Sequence, residues 1–114
     1  MLTSHAHAAL DVDWILNMAK TEATVKVNTD VVFKWGGYHD VYLLPSKADY
    51  DSCNFANGNL LAPTSQNSYT YKASSPGTFY FSCSIGNGYH CNTPQKLALT
   101  VTGTLSAWVN CGKP

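Results

Sequence analysis

An all-β fold, a sandwich of antiparallel strands with one short helix, is what this sequence predicts, and three observations carry the expectation. Runs of alternating apolar and polar residues recur along the chain, about six of them, with turn signals rich in Gly, Pro, Asn and Ser between them; that spacing belongs to a β-sandwich. The clearest run, KLALTVT at 96–102, puts Leu97, Leu99 and Val101 on one side and Ala98, Thr100 and Thr102 on the other. Only one segment, 46–53, has a helical look.

In chain order, MLTSHAHAALDVDW opens the sequence as an ordinary leader, since termini are usually loose unless tied down, with Trp14, Ile15 and Leu16 as the tie. His5 and His7, one residue apart, have a spacing able to chelate a metal weakly. Val25 and Val27 then alternate with Thr24 and Lys26 as a half-buried strand, and Asn28-Thr29-Asp30 reads as a turn. VVFKW at 31–35 is β-branched and aromatic and gives the next strand, which Gly36-Gly37 breaks. Residues 38–44 resume as a strand closed by Pro45. In 46–53, Ser46 and Asp49 have the spacing of a capping-box variant. Residues 54–66 form a loop in which Leu60 and Leu61 are the expected inward anchors. Tyr69 and Tyr71 flank Thr70 in another strand, and Ser74-Ser75-Pro76-Gly77 is a turn because Pro fixes the backbone at its second position and Gly tolerates the conformation at its end. TFYFSC at 78–83 aligns Phe79, Phe81 and Cys83 on one face, sheltering the Cys83 sulfur from water. In the tail TLSAWVNCGKP, Trp108 and Val109 are expected to pack on the domain.

With 114 residues, the chain is one domain over 1–114 with its core at about 11–103, long enough to bury a core of its own. Seven Lys balance seven acids with no Arg, so the surface lacks the positive footprint of a nucleic-acid binder. No apolar run approaches the length of a membrane span, and the N-terminus has no signal-peptide layout; Met1 is compatible with a start placed ahead of a mature domain. No Asn-x-Ser/Thr sequon occurs, so N-glycosylation is not expected.

Chemistry concentrates in TFYFSCSIGNGYHCNTPQK, residues 78–96. Cys83 ends a strand, His90 follows in a glycine-bearing loop, and Gln95 precedes the next strand. A further ligand is best supplied by His39, placed by the following Val-Tyr-Leu-Leu at the start of a buried strand. A thiolate and two imidazoles with a weak axial ligand suit copper that cycles between its two oxidation states with little change of geometry.

This pattern resembles the phytocyanin branch of the cupredoxins, the small blue copper proteins, over roughly 24–102. In that family a His-Asn/Asp-Val element gives one ligand, and a Cys…His-Cys-x-x-x-Gln/Met loop gives the others. His39-Asp40-Val41 matches the first element; Cys83, His90 and Gln95 match the thiolate, the second imidazole and the axial ligand, as in a stellacyanin-like site. The resemblance implies a Greek-key sandwich, one type 1 copper ion, one-electron transfer and no enzymatic activity. It also implies a disulfide between Cys91 and Cys53, which in turn argues for a secreted or otherwise exported, oxidising location, with a membrane anchor in the precursor as one form of that. The partner would be a redox protein or a small redox molecule, met by a monomer around Tyr89 and His90, with His39 the more buried imidazole. One departure stands out: the family usually has four residues between Cys and His, whereas Ser84, Ile85, Gly86, Asn87, Gly88 and Tyr89 separate them here. Gly86 and Gly88 can absorb the extra length.

Three other readings compete. Two disulfides, Cys53 with Cys91 and Cys83 with Cys111, would make a metal-free secreted module with a cell-surface or structural role. A structural zinc site of His39, Cys83, His90 and Cys91 would require adjacent residues to converge on one ion, and no Cys-x-x-Cys knuckle exists. A Cys nucleophile with a His base lacks an orienting acid in the sequence.

Overall fold

A computed structural model describes residues 8–103 of the chain. His5, His7, Trp108, Val109 and Cys111 lie outside the described residues. In chain order the strands are β1 (Ala9–Asp13), β2 (Glu22–Lys26), β3 (Thr29–Lys34), β4 (Val41–Leu44), β5 (Asn59–Ala62), β6 (Ser68–Ala73), β7 (Gly77–Ser82) and β8 (Lys96–Thr102); the helices are α1 (Lys47–Ser52) and α2 (Tyr89–Asn92). They form a sandwich of a three-stranded sheet, β1-β3-β6, and a five-stranded sheet, β2-β8-β7-β4-β5.

The sandwich is not wholly antiparallel. β1 runs parallel to β3, and β2 parallel to β8. Parallel neighbours need a crossover instead of a hairpin, and the chain supplies one: β2, between β1 and β3 in sequence, sits in the opposite sheet. The expected leader is in fact β1. Leu10, Val12 and Trp14 alternate with Asp11 and Asp13, Val12 and Trp14 are buried, and the Trp14 N–H donates to the Lys34 carbonyl at 2.9 Å. Ile15, expected to help tie the segment down, is half exposed.

Other boundaries also move. The turn falls at Val27-Asn28, where Asn28 takes φ +77°, while Thr29 and Asp30 join the ladder opposite Ala73 and Lys72. Residues 59–62 pair with β4 as a strand, so Leu60 and Leu61 cannot both point inward; Ala62 is buried and Leu60 is half exposed. The β4 ladder begins only at Val41, leaving His39 and Asp40 in the irregular stretch between the 36–38 bend and the strand. A second helix, α2, follows Gly88, which holds φ +91° at its N-cap. Four residues carry too little periodicity to announce a helix. The predicted helix is present as α1, where the Ser46 hydroxyl accepts from the Asp49 N–H at 3.1 Å.

Val31 and Phe33 face Phe81, Leu99 and Val101 across the sandwich. An aromatic series fills its centre: Trp14 meets Phe33 edge-on at 5.0 Å, Phe33 meets Phe81 at 5.1 Å, and Phe81 meets Tyr71 at 4.9 Å. This packing fixes the end of β7, from which Cys83 emerges.

Candidate metal centre

Three chain segments converge at one end of the sandwich. Cys83 follows β7 directly, is fully buried, and donates its backbone N–H to the Gln95 carbonyl at 3.2 Å, which locks it to the residue before β8. His39 follows the Gly36-Gly37 break, where Gly37 holds φ +82°. His90 rides on α2. The six residues between Cys83 and His90 do not protrude as an open loop. Gly88 N–H bonds to Ser84 O at 3.1 Å, Tyr89 N–H to Gly86 O at 3.1 Å, and His90 N–H to Ile85 O at 3.2 Å. Gly86, Asn87 and Gly88 all have positive φ, and a Cβ on Gly86 would stand 3.1 Å from the Tyr89 Cβ. The turn is therefore compact because glycine is there.

The ligand atoms of His39, Cys83 and His90 lie within 4.8 Å of one another. His39 Nδ1 is 3.1 Å from His90 Nδ1, and Cys83 Sγ is 3.6 Å from His90 Nδ1 and 4.0 Å from His39 Nδ1. Burial pushes the Cys83 thiol up to about 11, although the backbone N–H groups of Asp40 and Ile85 pull the other way. Burial, then the neighbouring His90, holds His39 below the ordinary imidazole value. At neutral pH the metal-free cluster thus keeps its sulfur protonated, and a bound cation would have to displace that proton. Both imidazoles are half-buried.

Asp40 binds the cluster together. Its N–H donates to Cys83 Sγ at 3.5 Å; its carboxylate accepts from the Ser84 N–H at 2.8 Å and the Ser84 hydroxyl at 2.6 Å. Its carbonyl accepts from Trp14 Nε1 at 2.8 Å. Sequence reasoning matched Asp40 to a motif without seeing these bonds, because they link residues 14, 40 and 84 only through the fold.

Gln95 is fully buried, and neither its Oε1 nor its Nε2 has a hydrogen-bond partner among the described residues. A buried amide left this way costs about 1–3 kcal/mol, so a further interaction is called for. The thiol and two imidazoles of the cluster are a donor set that fits a thiophilic transition-metal ion. Cys53 and Cys91 are joined in a disulfide with Cα atoms 5.9 Å apart, linking the C-cap of α1 to α2 beside His90. Cys91 is therefore not free to hold zinc. Cys83 is the free cysteine among the described residues. Outside the cluster, Tyr38 and Tyr89, next in sequence to His39 and His90, are about two-thirds exposed.

No protein-family model matches the chain, and no curated protein does. Solved structures do match. Cucumber stellacyanin, in its Cu2+ form at pH 7.0, superposes with a TM-score of 0.69 at 20% identity, covering 87% of this chain and 99% of that one. Spinach plantacyanin gives 0.66 at 22% identity, covering 83% and 100%. Cucumber basic protein, a blue copper protein, gives 0.60 at 21% identity, covering 79% and 91%. These neighbours are phytocyanins, and the chain shares their cupredoxin β-sandwich.

Proposed function

We propose that this cupredoxin sandwich is a type 1 copper protein that carries single electrons between partners and catalyses no reaction of its own. The observation that carries the reading is the convergence of the His39, Cys83 and His90 ligand atoms within 4.8 Å at one end of the sandwich. Copper held there would supply one-electron chemistry, Cu(II) to Cu(I) and back. Cys83 would hold it through a thiolate once the thiol proton is displaced, and His39 and His90 would hold it through Nδ1. Gln95 would offer its amide oxygen as a further, weak ligand, which would account for a buried amide with no other partner among the described residues. The disulfide and the compact 84–90 turn hold His90 in place, an arrangement that would suit a copper ion changing oxidation state with little change of geometry.

Electrons enter and leave beside Tyr38 and Tyr89, the exposed rings next to the two histidines. The exposed residues beside these rings, Gly36, Gly37, Gly86 and Asn87, carry no charge, so docking there depends weakly on salt. The partner is a redox protein or a small redox molecule met by the monomer. The Cys53–Cys91 bridge supports an exported, oxidising location. Among the described residues no helix is long and apolar enough to cross a membrane.

Redox cycling tests the reading. Copper-loaded full-length protein should bleach with ascorbate and regain its colour on reoxidation over repeated cycles. Copper that is lost on reduction, or colour that never returns, would count against a carrier.

A further inference from the structure

Trp14 stands far from the ligand loops in sequence, yet two hydrogen bonds in series tie it to the thiolate position. Its Nε1–H donates to the Asp40 carbonyl at 2.8 Å, and the Asp40 N–H donates to Cys83 Sγ at 3.5 Å. The ring is fully buried and packs edge-on against Phe33 at 88°. Burial alone does not explain the first bond, because Trp35, also buried, leaves its Nε1 without a partner among the described residues. What Trp14 holds is a piece of chain with little other support. The β3 ladder ends at Lys34 and the β4 ladder starts at Val41, so residues 36–40 have no strand on either side to fix them. Asp40 is fixed instead by Ser84 through its carboxylate and by Trp14 through its carbonyl.

We propose that Trp14 is a positioning residue for the metal centre, holding the backbone at Asp40 through its carbonyl so that the Asp40 N–H, in the preceding peptide unit, stays on the Cys83 sulfur and His39 stays turned toward it. The redox consequence rests on the copper reading above; the geometry does not. An N–H aimed at a ligating thiolate draws charge from the sulfur, and hydrogen bonding around that sulfur tunes affinity and potential. Without the Trp14 donor the backbone on both sides of the Asp40 Cα is freer to rotate, and the N–H to sulfur contact lengthens. A sulfur richer in charge favours the oxidised state, so the midpoint potential falls.

Two variants remove the donor. Trp14→Phe keeps an aromatic ring against Phe33, and benzothienylalanine at position 14, in which sulfur replaces the ring N–H, keeps the whole shape. Phe33→Leu loosens the same packing and leaves the donor in place. Each full-length protein is loaded with copper for its visible spectrum and midpoint potential; each metal-free protein is followed by amide hydrogen exchange at Asp40. Both donor-free variants should shift the thiolate-to-copper band and lower the potential, and Asp40 exchange should speed up about five- to tenfold, the value of one ordinary hydrogen bond. Phe33→Leu should lower the melting temperature and leave all three readouts alone. A benzothienylalanine protein with the parent's band, potential and Asp40 protection overturns the proposal, even where Trp14→Phe fails to fold. A parent that binds copper without a thiolate band overturns the copper reading instead, and Asp40 exchange in the metal-free proteins then decides on Trp14 by itself.

Discussion

Replacing Gln95 with leucine should stabilise the metal-free protein and weaken the metal-loaded one. Gln95 is fully buried, and both polar atoms of its amide lack partners among the described residues. Leaving such an amide unsatisfied costs about 1–3 kcal/mol. Leucine fills a similar volume, and volume-conserving swaps in a core usually cost less than about 1.5 kcal/mol. The balance favours Gln95→Leu by about 1 kcal/mol, which for a domain of this size raises the melting temperature by about 4 °C. Metal reverses the order. A ligand stabilises the fold in proportion to the logarithm of its concentration over its dissociation constant, so a variant lacking the axial oxygen gains less from copper than the parent. Thermal unfolding of both proteins, each with and without copper, gives the four melting temperatures needed. If metal-free Gln95→Leu melts below the parent by more than about 1 kcal/mol, the amide is satisfied within the fold, and its assignment to the metal fails.

Further outcomes concern the same site. Because the Cys83 thiol sits at about 11 and must ionise to ligate, cobalt(II) affinity should rise about tenfold per pH unit between pH 7 and 9; a flat profile would show that sulfur is not a ligand. His39 works in the opposite sense on the metal-free fold. Its value is held below the ordinary one, so the unfolded chain binds more protons, and stability should decline as pH falls from about 6.5; denaturant midpoints at pH 7 and pH 5 check the sign. Removing the disulfide by Cys53→Ser with Cys91→Ser should cost about 2–4 kcal/mol in urea unfolding while leaving a copper thiolate band in the folded fraction. Gly86→Ala should destabilise the protein by about 1 kcal/mol or more, since alanine is strained at φ +72° and its Cβ would press on Tyr89; an unchanged midpoint would mean that the 84–90 turn relaxes freely.

The sandwich was legible wherever one face of a strand is buried, as in β8, whose Leu97, Leu99 and Val101 all point inward. The grouping of His39, Cys83 and His90 was legible through residue chemistry, because a thiol and two imidazoles are a donor set that suits a metal ion. What escaped was set by long-range pairing. The sequence of β1 alternates plainly in Leu10, Val12 and Trp14, but its closeness to the N-terminus suggested a leader, and only the ladder to β3 makes it a strand. Its parallel direction, like that of β2 against β8, depends on which sheet the intervening strand joins. Helix α2 is too short for periodicity to show, and its start is defined by the positive φ of Gly88. The Asp40 bonds to Trp14 and Ser84 bridge 26 and 44 residues of sequence, beyond any local pattern.

The central claim is that Cys83, with His39 and His90, holds copper through a thiolate. Visible absorption and electron paramagnetic resonance of the copper-loaded full-length protein test it directly, with Cys83→Ser and the Cys53→Ser, Cys91→Ser pair measured alongside. The parent should show an intense thiolate-to-copper band and a narrow copper hyperfine splitting, kept when the disulfide is removed and abolished by Cys83→Ser. A weak absorption with ordinary hyperfine splitting, unaltered by Cys83→Ser, would contradict it.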